Sequence, residues 1–257
     1  MTDSVTKATA FANLHQKGKP VIIYNAWDGG SAKTIASCGA QAIATGDHPV
    51  GFAHGFGNDD FSDFSFDIYL VTIKEIASRI GDLPFSVDIN NADNLTGSDL
   101  QERIKTVVDA GAVGINYEDG GASVLTAEEQ SVRIALIRTT ANELGLPLFI
   151  NARTNIFLGA PAERHSALLD EAVARAAAYQ TAGADGFFTP GLLNLELIKQ
   201  LTSRVDLPLN IIRLPGAPST AELTAAGVAR ISYGPMPQLA MTAWLKDQAT
   251  AALNGEV

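Results

Sequence analysis

Two short phrases alternate along the chain, and their alternation limits the fold more than any other feature. The first is a Pro followed by an apolar β-type run: Lys-Pro-Val-Ile-Ile-Tyr-Asn (19–25), Leu-Pro-Phe-Ser-Val-Asp (83–88), Leu-Pro-Leu-Phe-Ile-Asn (146–151) and Leu-Pro-Leu-Asn-Ile-Ile (207–212). The second is a small residue and a Gly followed by an apolar run: Cys-Gly-Ala-Gln-Ala-Ile-Ala-Thr (38–45), Ala-Gly-Ala-Val-Gly-Ile-Asn-Tyr (110–117), Ala-Gly-Ala-Asp-Gly-Phe-Phe-Thr (182–189) and Ala-Gly-Val-Ala-Arg-Ile-Ser-Tyr (226–233). Four copies of each give eight strands. Their nearly continuous apolar character marks parallel strands buried on both faces. Pro stands at the strand start, where its missing N–H costs least. Gly follows a helix, where a left-handed cap is wanted.

Helical periodicity fills the gaps, over Phe66–Ile80, Leu100–Ala110, Thr126–Leu144, Ala167–Ala182 and Leu192–Leu201. Thr126 with Glu129 has the form of a capping box. Strands alternating with helices eight times predict a (βα)8 TIM-type barrel, one domain over residues 1–257, in preference to an open doubly wound sheet. No Gly-x-Gly-x-x-Gly follows the first strand, which removes the dinucleotide signature of the open sheet.

Composition enters here. Hydrophobic residues make up 46% and charged residues 18%, which is enough apolar material for a sizeable core. The net charge of −10 disfavours binding to nucleic acid or to an anionic membrane. It also requires local cations if the ligand is an anionic metabolite. Cys38 is the sole cysteine, so no intramolecular disulfide can form, and the polar start Met1–Lys7 lacks the apolar run of a leader. The expectation is a cytoplasmic protein.

In such barrels the site forms at the C-terminal ends of the strands. Those ends carry Asp28, Asp47, Asp88, Glu118, Asp119 and Arg153. Asp88 and Glu118 are hard oxygen donors suited to Mg²⁺, the competing reading being ion pairing with Arg153. Asp28 and Asp119 are read as structural. Arg153, with its planar fixed charge, suits a substrate carboxylate or phosphonate. Asn210 adds a polar group from the seventh strand, and Arg213 is a candidate second cation. His48 and His54 are read as solvated loop residues, and Cys38 as a small packed hydrophobe.

The strand-end motifs resemble those of the isocitrate lyase/phosphoenolpyruvate mutase superfamily, particularly its short phosphonomutase-like members. The pieces that carry the resemblance are Asn-Ala-Trp-Asp-Gly-Gly-Ser-Ala (25–32), Gly-Ile-Asn-Tyr-Glu-Asp (114–119), Arg-Ile-Ala-Leu-Ile-Arg (133–138) and Ile-Asn-Ala-Arg-Thr-Asn (150–155). To these are added Ala-Gly-Ala-Asp-Gly-Phe-Phe (182–188) and Gly-Val-Ala-Arg-Ile-Ser (227–232). The resemblance implies a homotetramer of barrels that exchange a C-terminal helix, Mg²⁺ or sometimes Mn²⁺, and cleavage or formation of a C–C or P–C bond beside an enolate. By that likeness Asp88 and Glu118 are metal-site acids and Arg153 binds substrate. Trp27, Thr45, Gly46 and Asp47 fall on segments that meet the substrate.

The departures narrow the reading. Asn90 stands where the family commonly has a second acid, so it is a weaker or water-bridged metal ligand. Asp47 puts a carboxylate beside an expected anion cradle. The stretch Gly120–Leu125 has neither the Cys of the lyases nor the Lys of the mutases. What survives best is an Mg²⁺-dependent C–C lyase or decarboxylase acting on a small 2-oxo or 2-hydroxy acid, with catalysis by Arg153, Glu118 and Asp88. P–C bond chemistry and a metabolite-binding barrel without catalysis are the alternatives.

Overall fold

The Pro of the first phrase stands directly before a strand in three of its copies. Pro20 precedes β1 (Val21–Ile23), Pro84 precedes β3 (Phe85–Asp88) and Pro208 precedes β7 (Leu209–Ile212). Pro147 lies two residues before β5 (Phe149–Arg153). The second phrase yields β2 (Ile43–Thr45), β4 (Gly114–Glu118), β6 (Gly186–Phe188) and β8 (Arg230–Ser232). Its glycines end the preceding helices as expected; Gly111 and Gly183 both have φ of +105°, which a side chain would strain. The computed structural model describes residues 2–57, 60–89, 95–120 and 123–256.

Among the described residues the eight strands form one parallel sheet, in the order β1-β8-β7-β6-β5-β4-β3-β2. A parallel bridge between Ala26 and Thr45 joins β1 to β2 and closes the ring. The Thr45 hydroxyl reinforces that seam by donating to the Ala26 carbonyl at 2.7 Å. The helices are α1 (Thr2–Asn13), α2 (Gly29–Ser37), α3 (Asp47–Ala53), α4 (Phe66–Arg79), α5 (Gly97–Asp109), α6 (Ala127–Glu143), α7 (Leu169–Thr181), α8 (Leu195–Arg204), α9 (Thr220–Ala225) and α10 (Met236–Leu253). The expected capping box is present, with Thr126 accepting from the Glu129 amide and Glu129 from the Thr126 amide.

Several elements lie outside the helical spans read from the sequence. Helix α1 covers the N-terminal end of the barrel. Its Phe11 is fully buried edge-on to Phe149, the first residue of β5, with centroids 5.4 Å apart. The segment after β2 folds into α3 and a 3₁₀ turn at Phe61–Asp63, where a long loop was expected. Cys38, expected to be packed, is exposed instead, because it caps the C-terminus of α2 at the surface.

No helix is long and apolar enough to cross a membrane among the described residues. Along α10, Met241, Trp244, Leu245 and Leu253 are exposed.

The contact of α1 with the barrel depends on Gly114. A Cβ there would lie 2.5 Å from the Phe11 ring, leaving no room without displacing it. Gly114→Ala is expected to lower stability by about 1–3 kcal/mol through overpacking, read as a lower urea midpoint at unchanged slope.

Candidate active site

All eight strands send a residue to one cavity of about 230 Å³ at their C-terminal ends. Asn25 follows β1, Gly46 and Asp47 follow β2, Asp88 ends β3 and Asn116 lies in β4. Arg153, Phe188, Ile212 and Ser232 end β5 to β8. His48, on the first turn of α3, completes the polar wall. A cavity of this size suits a small metabolite.

The β4–β5 register sets Glu118 directly beside Arg153. The guanidinium binds Glu118 Oε2 at 2.9 Å and reaches Asp88 Oδ2 at 3.6 Å. Its Nε donates to Asn155 Oδ1 at 2.9 Å, which fixes the plane of the fork. Asn155 in turn donates through Nδ2 to Glu118 Oε2 and to the Gly120 carbonyl, both at 2.7 Å. Asn155 is thus the clamp between the acid and the base, a role that was not assigned from the sequence. Its place two residues after Arg153 was the available signal.

Asp88 accepts from Asn116 Nδ2 at 3.3 Å, and Asn116 accepts from Asn151 Nδ2 at 2.9 Å. This amide ladder does not offset the loss of water. Burial pushes the Asp88 carboxyl up to about 6, against the pull of Arg153 and with the help of Asp47. The cavity wall therefore holds a carboxylate with less positive charge around it than its burial calls for.

A divalent cation fits that deficit. Mg²⁺ takes one or two carboxylates and fills its remaining positions with water and substrate oxygens. Asp88 and Glu118 are such a pair of oxygen donors. Among the described residues no three His, Cys, Asp or Glu side chains gather closely enough to hold a metal by themselves. Arg153 spans the same two carboxylates, so the ion-pair reading of Asp88 and Glu118 is realised in the geometry. Asn90, the third expected ligand, lies outside the described residues.

The other expected residues divide clearly. Gly46, Asp47 and Arg153 line the cavity. Asn210 is buried one hydrogen bond behind it, donating to Ser232 Oγ at 3.0 Å. Behind Ser232, Arg230 is wholly buried with Nε on the same Oγ at 3.1 Å, and burial lowers it to about 10. Thr45 is spent on the barrel seam and does not line the cavity. Trp27 faces a different surface hollow, together with Trp244 of α10. Arg213 turns back on its own loop and donates to the Pro218 carbonyl at 2.7 Å.

The two acids read as structural are so placed. Asp28 caps α2, accepting from the Ser31 amide at 2.6 Å. Asp119 is fully buried between Arg175 at 3.1 Å and the Tyr179 hydroxyl at 3.0 Å. His54 bonds Thr72 Oγ1 at 3.1 Å, away from the cavity. His48 is exposed, as expected, but it also borders the cavity, with Nδ1 2.9 Å from Asp47 Oδ1 and its ring stacked on Phe61 at 4.5 Å.

The family model for phosphoenolpyruvate phosphomutase matches residues 11–253, and the chain belongs to the phosphoenolpyruvate mutase/isocitrate lyase superfamily. A solved structure from Burkholderia cenocepacia J2315, provisionally named a phosphonomutase, is 39% identical with a TM-score of 0.90, covering 98% of this chain and 99% of that one. An uncharacterized protein of Mycobacterium tuberculosis (strain H37Rv) is 29% identical over 96% of this chain and 90% of its own length. Oxaloacetate decarboxylase 2 of Pseudomonas fluorescens (strain Pf0-1) is 27% identical over 67% of this chain and 62% of its own. The 2-methylisocitrate lyase of Escherichia coli is 28% identical over 87% of this chain, and a phosphonopyruvate hydrolase solved with oxalate and Mg²⁺ shares the fold at 20% identity with a TM-score of 0.81.

The raised Asp88 carboxyl predicts a pH-dependent effect of its removal. Wild type bears the cost of ionising Asp88 as pH rises from the ordinary carboxylate range through about 6, and that cost is constant above it. In chelator, Asp88→Asn is expected to unfold at a higher temperature than wild type at pH 8, and the gap closes as pH falls below 4. Added Mg²⁺ is expected to raise the wild-type midpoint and leave that of the variant unmoved. A lower midpoint for the variant at pH 8 would show that the carboxylate is not under-compensated.

Proposed function

We propose that the protein is an Mg²⁺-dependent lyase or decarboxylase that cleaves a C–C bond of a small 2-oxo acid through an enolate. The observation that carries the reading is the Arg153 guanidinium on the wall of a small cavity, held beside Asp88 of the same wall and the buried Glu118, which does not itself line the cavity. Asp88 and Glu118 would hold the metal, with Asn90 as a proposed third ligand. When bound, Mg²⁺ supplies a centre of positive charge that polarises a 2-oxo group and favours its enolate. The chain's own residues do the rest. Asn155 keeps the Arg153 fork in one plane, so its terminal nitrogens meet a substrate carboxylate without reorganising. Ser232 and Asn116 offer hydroxyl and amide groups to the same ligand. Phe188, Ile212, Leu158 and Leu214 make the remaining wall apolar, which strengthens every charge interaction inside it.

Decarboxylation of a 2-oxo dicarboxylate asks least of such a site: a cation, an anion-binding Arg and a proton source. The missing Cys and Lys after β4 disfavour isocitrate-type cleavage and weaken P–C chemistry. The oxaloacetate decarboxylases among the relatives support this order. Wild type is expected to decarboxylate oxaloacetate with Mg²⁺ and to stop in EDTA. Arg153→Lys, which loses the planar fork, is expected to lower kcat/KM by about 10²-fold or more. Absence of EDTA-sensitive turnover of any 2-oxo diacid would reject the proposal. Phosphate release from phosphonopyruvate would instead support P–C bond hydrolysis.

A second reading, a metabolite-binding barrel without catalysis, draws on Arg153 already spanning both acids. Oxalate binding in calorimetry with no turnover would favour it.

The expected tetramer with an exchanged C-terminal helix belongs to the same proposal. The exposed Met241, Trp244 and Leu245 of α10 support it, since they form an apolar face with no cover in this chain. Light scattering is expected to give four times the 27.0 kDa chain mass, and Trp244→Glu is expected to break the assembly. A monomeric wild type would dismiss the assembly.

A further inference from the structure

Four titratable side chains line the cavity: Asp47, His48, Asp88 and Arg153. The reading above uses Asp88 for the metal and Arg153 for the substrate. It leaves the enolate without a proton donor. It also leaves Asp47, a carboxylate that by itself would repel an anionic ligand.

We propose that His48, oriented by Asp47, is the proton donor of this site, an inference that rests on the enolate reading and completes it. The geometry has three parts. Helix α3 starts at Asp47, so both side chains stand on the rim directly after β2. Asp47 Oδ1 accepts from the His48 backbone amide at 2.7 Å and pairs with its Nδ1 at 2.9 Å. The ring lies flat on Phe61, with an interplanar angle of 19°, and edge-on to Phe52 at 6.1 Å. With Nδ1 committed and the plane fixed, Nε2 is the nitrogen that can serve the ligand.

The charges around the ring agree with a donor. The hydrogen bond to Asp47 raises His48 above the ordinary histidine value against the effect of burial, the charges of Asp47 and Asp88 add to it, and Arg153 opposes it. These surroundings favour the protonated ring. Arg153 cannot give up a proton. Asp47 is then a positioning residue, and its charge is offset by the imidazolium rather than turned on the substrate.

The step balances simply. The C–C bond of the 2-oxo diacid breaks, CO₂ leaves, and the bonding pair remains as the enolate. The Nε2–H bond then breaks, its proton goes to the enolate carbon, and the 2-oxo acid product forms. His48 is left neutral and regains a proton from water.

The test uses oxaloacetate and pyruvate as probes with the whole chain and Mg²⁺. Wild type is expected to decarboxylate oxaloacetate at a rate that falls as pH rises through the His48 pKa, and to exchange the pyruvate methyl protons in D₂O at a rate that rises through the same limb, because exchange begins with neutral His48 as the base. His48→Asn keeps an amide donor toward Asp47 and is expected to lose about 10²–10⁴ in the exchange rate, together with that limb in both reactions. Asp47→Asn is expected to lower the His48 pKa, followed by NMR, and to move the limb to lower pH. Unchanged exchange and an unchanged limb in His48→Asn, with wild type active, overturn the assignment of His48 alone. A wild type that neither decarboxylates nor exchanges overturns the enolate reading, and the donor with it. Should His48→Asn fail to fold, Asp47→Asn decides: an unmoved His48 pKa and limb reject the pair.

Discussion

A parallel sheet must hide both of its faces, and here strands of three to five residues do so by closing into a ring surrounded by helices. Every property of the site descends from that constraint. Closure at the Ala26–Thr45 bridge turns eight separate strand ends into one rim. The chain can then gather Asp47, Asp88 and Arg153, which are spread over more than a hundred residues, around a single small cavity, with Glu118 paired to Arg153. Thr45 illustrates how local this division is. Its hydroxyl serves the seam, while Gly46 and Asp47 next to it face the ligand space.

The rim concentrates negative charge in a chain that already carries −10. The fold answers with placed cations rather than many. Arg153 spans Asp88 and Glu118. Arg175 neutralises Asp119 outside the cavity. His48 answers Asp47. Arg230 lies wholly buried two residues before Ser232, where the charge of Asp88 favours its protonated form. Each acid has a local partner, and Asp88 is the one whose partner falls short of offsetting its burial.

The strands were legible because their signal is local and repeated: Pro at the start, Gly after the helix and an apolar run between. The strand-end acids were legible for the same reason, since a barrel exposes one end of every strand. The structural roles of Asp28 and Asp119 followed from capping and pairing logic. Side-chain direction beyond the strand end was not legible. Trp27 and Asp28 belong to the same motif, yet Trp27 turns toward α10 and Asp28 caps α2. His48 is exposed as expected, but its place beside the cavity was not legible, because its orientation depends on α3 and on Phe61, thirteen residues further on, and nothing in the local pattern announces that contact. Asn155 was passed over because an amide carries no charge to draw attention, although it fixes the two groups that do.

Asp88 is a poor residue for stability in its place. A buried carboxylate with a raised pKa costs free energy at neutral pH, and an amide of the same shape would fill the same volume without that cost. Arg153 is shared with Glu118, and the Asn116–Asn151 ladder supplies dipoles rather than charge. The proposed divalent cation would add positive charge there, and an anionic ligand would then find Arg153 and His48 on the same wall. By this reasoning the burial of Asp88 beside a guanidinium that it shares with Glu118 is the physical argument for the proposed metal.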